Sequence, residues 1–205
     1  MTPDAIPAGL RAAPRRRLLL AALAGLAGAA APRAQTAATA HDSLGPVRPP
    51  VAVPDWPLVD ETGRPFPLRA HLSGRVTALQ LVFTGCSAAC PIQGALFAAV
   101  APRLREIQGP QAQLLSLSID ALGDTPAALK AWMARFGAHP AWHAGLPRAQ
   151  DVDAVLDFLR GRARGADRHT AQVYLFDRRA RLAWRTVEMP PAAQVVSLLQ
   201  SLAGD

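Results

Sequence analysis

The sequence predicts an α/β fold built on a mixed central sheet flanked by helices. Two observations carry that prediction. Apolar patterns of strand type and helix type alternate along the chain and end in a hairpin followed by a helix, the order of a sheet that mixes parallel and antiparallel strands. Half of the 205 residues are hydrophobic, and the chain beyond an N-terminal leader has an ordinary length for one domain with its own core. Such a domain does not need disulfides to hold it together.

The leader covers residues 1–34: the basic stretch Arg15-Arg16-Arg17, an apolar run from Leu18 to Ala31, and small residues after it. This is the pattern of a signal peptide. The run is shorter than the ~20 apolar residues of a membrane span and is rich in Ala and Gly, so a cleaved signal is expected in preference to an uncleaved anchor. Arg15-Arg16-Arg17-Leu18-Leu19 fits a twin-arginine export signal as well as a general one, and no cysteine stands at the leader's end to take a lipid. Residues 35–55, interrupted by prolines and without periodicity, read as a flexible tether. The domain is expected to span residues 56–205.

Within it, Trp56 to Leu68 has the pattern of a hairpin turning at Thr62-Gly63, and Val76 to Phe83 reads as a buried strand. Behind Pro91, a residue suited to a helix start, Ile92, Ala95, Leu96, Ala99 and Val100 recur at helical spacing until Pro102. Gln113 to Ile119 is the next strand. Leu129, Trp132, Met133 and Phe136 mark a helix entered at Thr125-Pro126 and closed by Gly137. Val152, Val155, Leu156 and Leu159 mark another, closed by Gly161. Gln172 to Phe176 and Arg181 to Val187 flank the turn Asp177 to Ala180, and Val195, Leu198, Leu199 and Leu202 form a last helix after Pro190-Pro191. A thioredoxin-like core fits this order.

The formal charge is +7, but Arg11, Arg15, Arg16, Arg17 and Arg33 against Asp4 leave only about +3 outside the leader. The rest is scattered arginine with no basic stripe interleaved with aromatics, so no nucleic-acid partner is expected. No phosphate-binding loop, dinucleotide fingerprint or nucleophile elbow is present.

The chemistry concentrates in Gly85-Cys86-Ser87-Ala88-Ala89-Cys90-Pro91, which comes after the buried strand and opens the next helix. A sulfur there faces unpaired N–H groups and the positive end of the helix dipole, which favour the thiolate. At a spacing of i and i+4 the two sulfurs suit either a disulfide or one metal ion. A structural disulfide is the ordinary reading of two cysteines in an exported chain. So short a bridge would stabilise far less than the ~3 kcal/mol of a 15-residue loop, which turns the reading toward chemistry.

Three segments together resemble the Sco/SenC family of copper chaperones and thiol oxidoreductases of cytochrome oxidase assembly. They are Leu81-Val82-Phe83-Thr84-Gly85-Cys86 with Cys90-Pro91; Ser116-Leu117-Ser118-Ile119-Asp120 with Asp124-Thr125-Pro126; and His169-Thr170 before Tyr174-Leu175. The resemblance covers roughly residues 56–202. It departs from the family between the cysteines, where Ser87-Ala88-Ala89 replaces a stretch that often holds proline and an acidic residue. It implies a thioredoxin-like fold and copper bound by Cys86, Cys90 and His169, with the two cysteines also available for redox work.

The donor types agree with that implication, since two thiolates and an imidazole suit Cu(I), and Cu(II) after it, while no hard-oxygen cage is present for calcium or magnesium. Zinc would want a fourth ligand or a bound water. Two functions are consistent with this set. One is an exported, periplasmic or membrane-tethered chaperone that passes copper to an oxidase subunit or another exported copper protein. The other is a thiol-disulfide oxidoreductase that reduces a partner's cysteines before metallation. Elsewhere, His139 and His143 are read as loop residues because Pro140 between them opposes a helix, and His41 and His71 as solvated. Asp124 is read as part of a helix start, and Asp120 as a residue that could orient the site.

Overall fold

The computed structural model describes residues 44–107, 111–163 and 168–204. The leader and residues 35–43, including His41, lie outside the described residues. The strands are β1 (Gly45–Ala52), β2 (Pro57–Asp60), β3 (Pro65–Pro67), β4 (Val76–Val82), β5 (Ala112–Ser118), β6 (Trp142–Pro147), β7 (Gln172–Phe176) and β8 (Arg181–Glu188). The α-helices are α1 (Leu68–Leu72), α2 (Ala89–Val100), α3 (Pro126–Ala134), α4 (Val152–Leu159) and α5 (Ala192–Gly204). Among the described residues the strands form one sheet in the order β1-β8-β7-β4-β5-β6-β2-β3. Pairs β4–β5 and β5–β6 are parallel and the others antiparallel. The fold is therefore the expected thioredoxin-like α/β arrangement with a mixed sheet.

Strand β4 is buried at all seven positions because helices cover both faces of the sheet. Val76, Ala78 and Val82 face a core shared with Phe97, Trp132, Trp142 and Val195, hence with α2, α3 and α5. Leu79 and Leu81 face the opposite core with Leu115, Leu117, Val155, Leu159 and Phe176, hence with α4. On the first of these faces Trp142 Nε1 and Gln80 Nε2 both donate to Ser116 Oγ at 2.9 Å, which satisfies a buried hydroxyl.

Local signals account for most boundaries. Thr125 Oγ1 accepts the N–H of Ala128 at 3.1 Å with Pro126 at the first helical position. Helix α2 ends at Val100, and the chain continues as a 3₁₀ turn over Ala101–Glu106 that accommodates Pro102. Helix α2 begins at Ala89, two residues before Pro91. After α4 the left-handed residue is Arg160, at φ 55°, and not Gly161. Gly161 is required for space: a Cβ there would stand 2.5 Å from Leu81 Cδ1.

Two expectations are corrected. Residues 45–52 are not a tether but strand β1, paired with β8, and Val53 beyond it is 1% exposed and donates its N–H to Ala180 O. Prolines 46, 49 and 50 are tolerated because an edge strand needs its N–H groups on one side only. His143 is likewise not in a loop, since β6 pairs in parallel with β5 and His143 lies opposite Leu115. The hairpin at Thr62-Gly63 is formed by β2 and β3, and β2 joins the same sheet through β6.

Candidate metal centre

The site grows out of the C-terminal end of β4. The chain leaves the sheet at Phe83 and turns so that Cys86 N–H bonds Phe83 O at 3.1 Å. Helix α2 then starts with Ala88 at its N-cap, a residue with no side-chain acceptor. The sulfur of Cys86 takes over that role, accepting the N–H of Cys90 at 3.3 Å. Partial burial raises the Cys86 thiol pKa, but the Cys90 side chain and the N–H groups of Cys90, Ala88 and Ala89 outweigh it, so the pKa falls below the ordinary value.

Cys90 differs from Cys86 in every respect that matters to a thiol. It has no exposed surface and belongs to the core beneath α2. Burial first, then its hydrogen bond to Cys86 and the nearby charges of Cys86 and Asp124, push its pKa up to about 12. Both cysteines are free thiols.

His169 comes from the segment before β7, 79 positions after Cys90, and is 4% exposed. Its Nε2 lies 3.7 Å from Cys90 Sγ, and its Nδ1 lies 2.9 Å from Thr170 O. A carbonyl only accepts, so Nδ1 carries the proton of the neutral ring and Nε2 presents its lone pair to the cysteine. That second hydrogen bond is the kind that orients a metal-binding histidine. Among the described residues no three metal-binding side chains stand close enough to hold an ion as placed. The Cys90–His169 pair is formed, and the Cys86 sulfur beside it is half-exposed.

The surroundings hold this pair in register. Phe83 meets the His169 ring edge-to-face at 5.9 Å, and the Arg168 guanidinium lies 5.0 Å from the Phe83 centroid. Arg168 also pairs with Asp120 at 3.3 Å, so Asp120 reaches the segment that carries His169. Asp124 does not cap α3. It is buried and accepts from Thr84 N–H at 3.0 Å, Thr84 Oγ1 at 2.6 Å and Ser118 Oγ at 2.6 Å, which ties the cysteine loop to the end of β5. Sequence reasoning misses Phe83, Arg168 and this role of Asp124; a second Asp left over beside a Thr-Pro helix start is the one clue it offers. The cysteine turn, Phe83, Arg168 and His169 line an open depression of about 270 Å³.

His71, His139 and His143 are not part of this site. His71 ends α1 and His143 begins β6, at the other end of the parallel strands. The expectation that His71 is solvated is corrected: burial, with His143 and Arg75 nearby, lowers its pKa to about 4.

A strand-to-helix turn that presents one accessible and one buried thiol, with a tautomer-fixed histidine against the buried one, defines a thioredoxin-like protein of thiol or soft-metal chemistry. Residues 47–203 match the SCO1/SenC family model, and the chain belongs to that family. No curated protein sequence matches it. Among solved structures it is similar to a SCO1/SenC family lipoprotein from Bacillus anthracis, at 20% identity and a TM-score of 0.64 over 77% of this chain and 97% of that one. It is similar to yeast Sco1 with copper bound, at 20% identity and 0.63 over 74% and 88%. It is also similar to BsSco, a Sco family cytochrome c oxidase assembly protein with a disulfide switch, at 19% identity and 0.65 over 76% and 95%. At these identities the likeness shows a shared fold.

Proposed function

We propose that this protein binds copper as Cu(I) through Cys86, Cys90 and His169 and hands it to a copper-accepting protein of the cytochrome oxidase type. The observation that carries the reading is the approach of His169 Nε2 to Cys90 Sγ at 3.7 Å, with the histidine tautomer set by Thr170. Thiolate and imidazole are the donors Cu(I) prefers, and copper-bound yeast Sco1 shares the fold. An open depression over the donors suits an ion that must be passed on. The leader pattern of residues 1–34 supports a location outside the cytoplasm, with the domain released or tethered by an uncleaved leader. No helix among the described residues is long and apolar enough to cross a membrane.

A second reading, thiol-disulfide exchange with a partner's cysteines, is favoured by the contrast between the accessible Cys86 and the buried Cys90. Attack would start at Cys86, and Cys90 would resolve the mixed disulfide, forming the Cys86–Cys90 bridge and releasing the reduced partner. The two readings separate at His169. His169→Ala is expected to lose tight Cu(I) binding in a chelator competition while the Cys86–Cys90 disulfide still forms and is reduced. Undiminished copper binding would remove His169 from the site. Lost copper with full oxidase assembly in cells would instead make exchange the working function.

A further inference from the structure

A cavity of about 800 Å³ lies away from the cysteines and is lined in part by Asp60, His71, Arg75, Gln111, His139 and His143. It opens at the N-terminal ends of β4, β5 and β6. The cysteine turn lies beyond the other end of β4, a seven-residue strand, on the order of 20 Å away. One ion cannot serve both places.

The backbone of His71 is fixed on both sides. Its carbonyl accepts from Arg75 Nη1 at 3.1 Å and from Gln113 Nε2 at 3.0 Å. Its ring packs on Phe66 at 4.8 Å, and its Nε2 is buried without a hydrogen-bond partner. A buried, partnerless imidazole nitrogen is costly in a folded protein unless a ligand completes it. His143 stands beside it, with ring centroids 5.2 Å apart and planes at 89°. Two imidazoles on one ion at about 2.0–2.1 Å per metal–nitrogen bond have centroids about 4.5–5.5 Å apart for adjacent coordination positions. The observed separation falls in that range.

From this geometry we infer that His71 and His143 form a second metal site, for a borderline divalent ion such as Cu(II), at the end of the sheet opposite the thiols. No third His, Cys, Asp or Glu among the described residues completes the set, so water from the cavity fills the remaining positions and the ion is exchangeable. Asp60 Oδ1 is already engaged by Thr62 and Arg64, and His139 Nδ1 accepts the N–H of Ala141 at 3.1 Å. The His71 ring stays neutral down to about pH 4, the form that binds metal. Among divalent first-row ions Cu(II) binds nitrogen sites most tightly and is the probe of choice.

The test uses the full chain carrying Cys86→Ser, Cys90→Ser and His169→Ala, so the outcome does not depend on the thiol site. Titration with Cu(II) is expected to load one ion per chain, with nitrogen hyperfine splitting from two imidazoles in its paramagnetic resonance spectrum. His71→Ala and His143→Ala, each added to that background, are expected to abolish the one-to-one signal. Circular dichroism checks that each variant folds. His143 is partly exposed on β6, so its variant keeps the test decisive if the His71 variant unfolds. One-to-one binding retained in folded His143→Ala, or a parent spectrum without two-nitrogen splitting, would overturn the site.

Discussion

At the scale of single residues, the site is built on contrasts of environment between groups of the same kind. Cys86 and Cys90 are four positions apart on one turn, yet one is set toward the thiolate by backbone N–H groups and the other toward the thiol by burial. Cys90 meets both neighbours through different groups: its backbone N–H donates to Cys86 Sγ, and its own Sγ lies against His169 Nε2, the side of the ring that carries the lone pair. Beneath His169, Thr170 Oγ1 and Tyr174 Oη share a hydrogen bond of 2.7 Å. Burial raises the Tyr174 phenol to about 12, against the smaller opposing effects of Thr170 and Arg185. Because the folded value lies above the unfolded value of 10.0, the contribution is complete below the unfolded value and is lost as pH rises through the folded one. Tyr174→Phe is therefore expected to lose about 1 kcal/mol near neutrality, where Thr170 is left without its partner. Its stability should then fall less than the parent's as pH rises from 10 toward 12. Urea unfolding of both proteins across that range checks the sign.

At the scale of elements, three loops meet around the approach of His169 to Cys90. The β4–α2 turn carries the cysteines, the β5–α3 turn carries Asp120 and Asp124, and the segment before β7 carries His169. Asp124 joins the first two by bonds to Thr84 and Ser118, and Asp120 joins the second to the third through Arg168. Asp124 is buried and Arg168 is exposed, so the two links differ in strength. Hydrogen bonds to a charged group contribute about 1.5–3 kcal/mol each, whereas a surface ion pair contributes about 0–1 kcal/mol. Asp124→Ala is accordingly expected to cost about 2–3 kcal/mol of stability and to weaken Cu(I) binding, because Ser118 and Thr84 lose their acceptor. Asp120→Ala should leave the melting temperature nearly unchanged. Thermal unfolding and chelator competition on both variants check the ranking, and equal losses would show that the buried carboxylate is not the tie.

At the scale of the whole molecule, the sheet extends beyond the strands that build the site. Strand β1 covers β8 on one side, and the hairpin of β2 and β3 covers β6 on the other. A chain beginning at Trp56 would expose the β8 edge and lose the burial of Val53, a contribution of about 1.5–3 kcal/mol before the backbone pairing is counted. It is expected to melt lower than the parent and to self-associate through the uncovered edge. A chain beginning at residue 44 should melt like the parent. Calorimetry and light scattering on the two truncations check this, and equal melting would mean that β1 adds nothing to the domain.

Much of this protein is legible as local pattern. The unbroken apolar run of β4, the Thr125-Pro126 helix start, the turn at Asp177 and the helical spacing of α3, α4 and α5 are properties of neighbouring residues, and each reappears in the structure. The cysteine pair is legible for the same reason, since a helix start comes within a few positions of a buried strand. Strands β1 and β6 are not, because a proline-bearing edge strand and a six-residue strand containing Gly145 and Pro147 carry little periodicity of their own and are defined by the strands beside them. The sequence by itself determined which donors exist and the local elements that carry most of them. Only the tertiary structure decided that His169 meets Cys90 across 79 positions, that Asp124 braces the cysteine loop, and that His71 faces His143. Those contacts depend on strand order and loop approach, which arise from packing the whole sheet and leave no mark on the spacing of residues along the chain.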